Sequence, residues 1–281
     1  MSMSTTGRNT INTGLVHLVL IIYTVVALFP VFLIIINAFK NRKGIFNDPL
    51  ALPTEKTFST VGFEKVFSSA DFVLLFSNSL IVTLVSLFFV LLLGAMAAWA
   101  LSEYDFKGRR LLTLFMAIGI MVPIRLGTVS ILELMVSLDL VNTLTALILV
   151  YIAQGLPLAV FILSEYMAQI PNELKEAARC DDVSEYKIFF QIILPLTRPA
   201  IATVAVFTMI PIWNDLWFPL ILAPGEETRT LTLGVQQFIG QYVTNWNAVL
   251  ASLSLAVVPV LILYLFFSKQ LIRGLTSGAV K

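Results

Sequence analysis

Apolar residues in this chain are gathered into long unbroken runs, with no sustained alternation along them. Runs of about 20 apolar residues recur, the length a helix needs to cross a hydrocarbon core about 30 Å thick. Six spans fit, at about 15–36, 80–101, 111–135, 144–163, 200–222 and 249–267. The third is interrupted by Gly119, Pro123 and Arg125, and the fourth contains Gln154, Gly155 and Pro157. The fifth is broken by Pro211, Asn214, Asp215 and Pro219. This pattern predicts an all-α polytopic membrane protein with six transmembrane helices. A transmembrane β-barrel is excluded, because its strands alternate over about ten residues and nothing here alternates.

The opposite pattern fills the gap between the fourth and fifth runs, where residues 170–199 read IPNELKEAARCDDVSEYKIFFQIILPLTRP. Pro171 suits a first helical position, where its missing N–H costs nothing. Glu173 and Glu176 then lie toward the positive end of the helix dipole. Residues 172–179 are strong helix formers, and the DDVS that follows favours a corner, since Asp and Ser compete for backbone hydrogen bonds. A second, amphipathic helix is predicted over 184–194, with Ile188, Phe189, Ile192 and Ile193 on one face. Pro195 and Pro199 then turn the chain back toward the next span. From these residues alone, the loop reads equally as a solvated connector or as a docking element for a partner.

Composition agrees with the pattern. Of 281 residues, 58% are hydrophobic and 12% charged, against about 25% charged in a soluble domain. The net charge of +1 implies no nucleic-acid partner. Cys180, the single cysteine, reads as an inert thiol, and His17, the single histidine, as an interfacial residue. The first apolar run is too long for a cleaved signal peptide and lacks a small-x-small site, so it reads as a retained span. With the N-terminus inside, inner segments hold eleven of the eighteen Lys and Arg, and outer segments seven; this bias places residues 170–199 on the cytoplasmic side. The first outer loop works against the bias, because it opens with Lys40, Arg42 and Lys43.

The string E-A-A-x-x-D from Glu176 to Asp181, its lead-in from Pro171, and the L-P-L-x-x-P from Leu194 to Pro199 resemble the EAA loop of ABC importer permeases. Asn78-Ser79, Asn142-Thr143, Trp213-Asn214-Asp215 and the closing Gly278-Ala279-Val280-Lys281 point to the carbohydrate-uptake class, and within it to permeases of the maltose-system type. The likeness runs over nearly the whole chain, from about Leu15. It implies the type I ABC importer permease fold, with a coupling (EAA) helix between spans four and five. It divides the chain into a cytoplasmic segment 1–14, a permease domain 15–270 with its coupling loop at 165–199, and a cytoplasmic tail 271–281. The implied place is the bacterial inner membrane, with both termini cytoplasmic.

By this resemblance Glu173, Glu176, Ala177, Ala178, Asp181 and Asp182 form the contact with a separate ATPase subunit. The family pattern has Gly where this chain has Asp182, so the corner is expected either to shift or to be bonded through that side chain. The implied assembly is two different permeases, two ATPase copies, a secreted solute-binding protein and a carbohydrate substrate. ATP and Mg would be held by the ATPases and no cofactor by this chain, which has no P-loop G-x-x-x-x-G-K-[ST] and no catalytic cluster. The chain is thus expected to be a non-enzymatic subunit.

Polar groups inside spans normally face protein or water. Asn78, Ser79, Gln154, Trp213, Asn214 and Asp215 read either as a sugar-lining surface or as helix–helix and interfacial contacts; Arg125 and Glu133 share that ambiguity near the outer end of the third span. Gln236, Gln237 and Gln241 read either as a reach toward the binding protein or as loop packing. Two other functions stand against the importer. A stand-alone ion-coupled transporter could use Asp215 or Glu133, but leaves the long inner loop unexplained. For a membrane scaffold or integral enzyme, no catalytic residues are visible.

Overall fold

The computed structural model describes the backbone of residues 5–69, 72–239 and 244–277, and the side chains of residues 14–68, 72–239, 244–262 and 265. Gln241 and the closing Gly278–Lys281, both named from sequence, lie outside the described residues. Among the described residues there is no strand, and the regular structure is helical. In chain order the helices are α1 (Thr5–Ala38), α2 (Arg42–Asn47), α3 (Val61–Ser69), α4 (Phe72–Glu103), α5 (Arg109–Met121), α6 (Thr128–Ser137) and α7 (Leu144–Met167). Then follow α8 (Asn172–Cys180), α9 (Glu185–Lys187), α10 (Leu194–Leu196), α11 (Arg198–Asn214), α12 (Trp217–Leu222), α13 (Leu231–Val235) and α14 (Trp246–Ser277).

Among the described residues, three helical segments are long and apolar enough to cross a membrane unaided: Gly14–Ala38, Phe72–Glu103 and Leu144–Met167. Two bent pairs raise the number to five if each is one span. One is α5 with the segment Ile124–Ser137, bent by 90°, and the other is Glu185–Leu196 with α11, bent by 74°. The first bend falls at Val122 and Pro123, where the sequence has its Pro and where the α region is disfavoured for the preceding residue. Pro157 lies inside α7 without breaking it. The last helix contributes a shorter apolar stretch, Trp246–Ile262.

The chain divides into two compact units, residues 1–71 with 235–258, and residues 72–234 with 259–281. In the first, α1 presents exposed apolar side chains from Leu15 to Phe29, as a surface facing lipid or other protein does. Beyond α1, Lys40 is buried. Its Nζ donates to Asn37 Oδ1 (3.1 Å), to the Asp48 carbonyl (2.8 Å) and to the Pro49 carbonyl (3.4 Å). Burial pushes its pKa below the usual lysine value, and Asp48 draws it partly back.

The second unit is built on α4 packed along α7. Gly94 lets the two backbones meet, since a Cβ there would fall 2.8 Å from the Ala159 Cβ. Gly155 leaves room for the Val90 side chain of α4 and the Thr208 methyl of α11. Small residues at such crossings let membrane helices gain dispersion contact where no hydrophobic drive exists between them. At one end the cluster continues from Ala98, Trp99 and Leu163 into Ala178, Ile188, Phe189 and Ile193. The segment after α7 is therefore packed on the ends of α4 and α7.

The amphipathic stretch has one feature absent from its sequence pattern: Ile188–Ile193 is wound as π-helix. Ile188, Phe189 and Ile193 are buried as expected, and Ile192 packs against the cluster in part.

Candidate functional site

The α8 helix begins one residue after Pro171, with Glu173 in its first turn and Arg179 in its last. It ends in a Schellman motif. The Val183 N–H bonds to the Ala178 carbonyl (3.0 Å) and the Asp182 N–H to the Arg179 carbonyl (3.1 Å), the 6→1 and 5→2 pair that satisfies the last carbonyls. That motif needs a left-handed residue, and Asp182 provides it at φ +57°. The corner has not shifted, and among the described residues no hydrogen bond is made by the Asp182 side chain; the conformation is held by Val183 and Ala178 packing into the core.

A left-handed L-residue costs roughly 1–2 kcal/mol, less for Asp than for most. Asp182→Val is expected to lower the stability of the purified chain by about 1 kcal/mol, and Asp182→Gly to raise it slightly. Thermal melting in detergent checks this, and indistinguishable melting temperatures for the two variants would count against the strained corner.

One face of α8 is bonded to the end of α4. Lys175 is buried, its side chain 7% exposed, and its Nζ bonds to Glu103 Oε2. It also lies 5.7 Å over the Trp99 ring. Arg179 donates from Nη2 to Glu103 Oε1 (2.6 Å) and from Nε to Glu185 Oε1 (2.7 Å). Glu185 Oε2 accepts from the Tyr104 hydroxyl (2.6 Å). Glu185 and Glu103 together hold the Arg179 guanidinium further into its charged form than usual. The opposite face is open: Glu173, Glu176, Ala177 and Cys180 are exposed, as are Asp181 and Asp182 beyond the helix. Of the sequence candidates in this loop, Ala178 alone is buried. Sequence reading had not singled out Lys175, Arg179, Glu103, Tyr104 or Glu185 as anchors. Their one local signal is the i,i+4 spacing of Lys175 and Arg179, which puts both on one side of a helix.

A second constellation lies at the other end of the same unit. The break between α11 and α12 exposes a cavity of about 600 Å³, lined among others by Arg125, Gln154, Asn214, Asp215 and Trp217. Asp215 caps α12, accepting from the backbone N–H groups of Trp217 (3.2 Å) and Phe218 (3.1 Å). It also accepts from the Tyr151 hydroxyl (2.9 Å) and faces Arg125 Nη2 at 3.4 Å.

Two candidates for the sugar-lining surface, and Asn142 of the family pattern, are placed elsewhere. Asn78 is buried, and its Nδ2 donates to the carbonyls of Glu227 (2.8 Å) and Arg229 (3.0 Å). Ser79 Oγ accepts the Leu231 N–H (2.7 Å). Asn142, itself left-handed at φ +62°, accepts from the Gly225 N–H (2.7 Å) and the Thr228 hydroxyl (2.8 Å). All three brace one strap, residues 223–231. Trp213 is buried, edge-on to Phe76 at 5.9 Å. Glu133 is exposed on α6, and Gln236 and Gln237 are exposed on the turn Gln236–Phe238 of the first unit.

Residues 90–277 match the family described as binding-protein-dependent transport system inner membrane component. The arabinooligosaccharides transport system permease protein AraQ of Halalkalibacterium halodurans is 39% identical over 191 residues, 68% of each chain. The diacetylchitobiose uptake system permease protein NgcG of Streptomyces coelicolor is 31% identical over 267 residues, 94% of this chain and 88% of that protein. Among solved structures, the chain shares its fold with a chain of a bacterial ABC transporter involved in the import of the acidic polysaccharide alginate. That likeness has a TM-score of 0.78 at 22% identity, and covers 96% of this chain and 99% of the other.

Proposed function

Since this chain belongs to the family of inner membrane components of binding-protein-dependent transport systems, we propose that it is one permease half of an ATP-driven sugar importer. Its six spans line half of a translocation path, and a second, related permease supplies the other half. Two ATPase subunits bind ATP and Mg on the cytoplasmic face, and a solute-binding protein delivers the sugar from outside. Segment 1–14, the coupling loop 165–199 and the tail 271–281 lie in the cytoplasm, and the spans fall within 15–270. The sugar class rests on relatives named for arabinooligosaccharide and diacetylchitobiose uptake.

The observation that carries this reading is the two-sidedness of α8. One face is bonded to α4 through Lys175 and Arg179, while Glu173, Glu176 and Ala177 point away from the chain. A helix so held can receive a push from an ATPase on its free face and pass it to the spans as a rigid body. Asp181 and Asp182, at the exposed corner, complete the contact surface. Alternating access follows as the two permease halves rock. Gln236, Gln237 and Gln241 belong to the outer surface offered to the binding protein.

An ion-coupled carrier working through Asp215 is less well served. The Asp215 carboxylate is occupied by four donors, and a coupling carboxylate must be free to take and release its ion.

The test is uptake by liposomes holding this chain with its partner permease, ATPases and binding protein. Uptake of labelled arabinotriose or diacetylchitobiose is expected only with ATP supplied to the ATPase side. Accumulation by this chain alone, driven by a proton or sodium gradient, would replace the importer with a carrier.

A further inference from the structure

The cavity beside α12 holds two chemically different kinds of side chain. Asp215 has its side chain 9% exposed, and its oxygens already receive Trp217 N–H, Arg125, Tyr151 O–H and Phe218 N–H. A carboxylate offers about four lone-pair sites, so none is left for a ligand hydroxyl. Arg125 is the reverse. Its side chain is 66% exposed and gives one long contact, 3.4 Å, to Asp215. A guanidinium has five N–H donors in a planar fork, and among the described residues its side chain makes no other hydrogen bond. Trp217 is 41% exposed, and its indole N–H is taken by Thr128 Oγ1 at 3.0 Å. What it offers the cavity is therefore ring surface, held in place by that bond and by Arg125 at 5.9 Å. Asn214 donates its amide to the Ile210 carbonyl (2.9 Å), which leaves its Oδ1 as an acceptor.

A fixed aromatic face beside a planar donor fork and an amide oxygen suits a ligand with an apolar C–H face and a rim of hydroxyls. We propose that Arg125 and Trp217 are the residues through which this chain touches its sugar, that the sugar is uncharged, and that Asp215 and Tyr151 are positioning residues that never contact it. The absence of charge follows from the pairing. The Arg125 cation already faces the Asp215 anion, so the pair carries no net charge, and a ligand carboxylate drawn to Arg125 would also approach Asp215. This class differs from the acidic polysaccharide of the transporter whose fold the chain shares. The inference rests on the sugar-import reading and narrows it.

The experiment uses the whole transporter in liposomes, with arabinotriose, diacetylchitobiose and maltotriose as neutral probes and trimannuronate as the acidic one. Import and ATP hydrolysis are measured together, and the quantity read is sugar imported per ATP hydrolysed. Wild type is expected to import at least one neutral probe in preference to trimannuronate. Arg125→Met and Trp217→Leu are each expected to lower sugar per ATP by about tenfold, the loss expected of one good contact, because a delivered sugar is no longer retained. A variant that merely folds poorly lowers import and hydrolysis together and leaves their ratio unchanged. An unchanged ratio at wild-type rates of import and hydrolysis in either variant overturns the contact, and faster import of trimannuronate than of the neutral probes overturns the class. If wild type imports none of the four with ATP, the sugar-import reading itself has failed, which is a different result from failure of the variants alone.

Discussion

Glu103→Lys is expected to abolish transport by disconnecting α8 from α4. The Glu103 carboxylate is 9% exposed and shared between Lys175, itself 7% exposed, and Arg179. Replacing it with a cation leaves the Lys175 ammonium buried beside a like charge. Removing one partner of a buried pair costs about 3–5 kcal/mol, most of it from the charge left stranded. The consequence is local first, because α8 has few other polar ties to α4: the helix frays from its anchor and the loop opens. ATP-driven uptake is expected to fall to background, and protease cleavage within residues 171–184 to accelerate by an order of magnitude or more. The double variant Glu103→Lys, Lys175→Glu restores one pair and should recover part of both. Wild-type uptake and protease resistance in Glu103→Lys alone would show that the ion pairs do not fix the helix.

A loss of similar size should come from Glu176→Lys by another route. Glu176 is exposed on the free face of α8 and has no hydrogen bond or ion pair among the described residues. A surface substitution of this kind changes stability by no more than about 0.5 kcal/mol. The variant is therefore expected to reach the membrane in normal amount and to resist protease as wild type does. Stimulation of ATP hydrolysis by loaded binding protein should nevertheless fall by at least about tenfold, because reversing a charge at a complementary interface costs more than 1.4 kcal/mol. Full stimulation in this variant would move the ATPase contact away from α8. The two substitutions separate the joint that holds the helix from the surface that it presents.

The helices were legible because each depends on a neighbourhood of its own residues. Apolar runs marked the long helices, Pro123 marked the 90° break, and the DDVS after α8 marked its end. What crosses the chain was not legible. Lys175 and Glu103 are 72 residues apart, and nothing near either one names the other. Asn78, Ser79 and Asn142 drew notice as polar residues or as parts of a familiar pattern, and their geometry serves the strap at 223–231. A local reading sees an unpaired amide, whereas the fold supplies carbonyls 149 and 151 residues away. Asp215 was noticed for its charge, but its partners Tyr151 and Trp217 were not, since an aromatic in an apolar run reads as more of the same. The left-handed corner at Asp182 was not legible, because Asp gives no local signal as firm as Gly does, and the resemblance pointed instead to a shifted or side-chain-bonded corner.

The buried Lys40 has a practical consequence for mapping which side of the membrane each loop occupies. Amine-directed reagents that cannot cross a bilayer mark a loop only where an ammonium is within reach. Lys43, Lys56 and Lys65 are exposed in the same stretch of chain, whereas Lys40 is enclosed by Asn37 and the carbonyls of Asp48 and Pro49. Acylation should therefore tag the first three and pass over Lys40 in intact vesicles. Its silence reports enclosure, and assigning it to the opposite compartment would invert the loop.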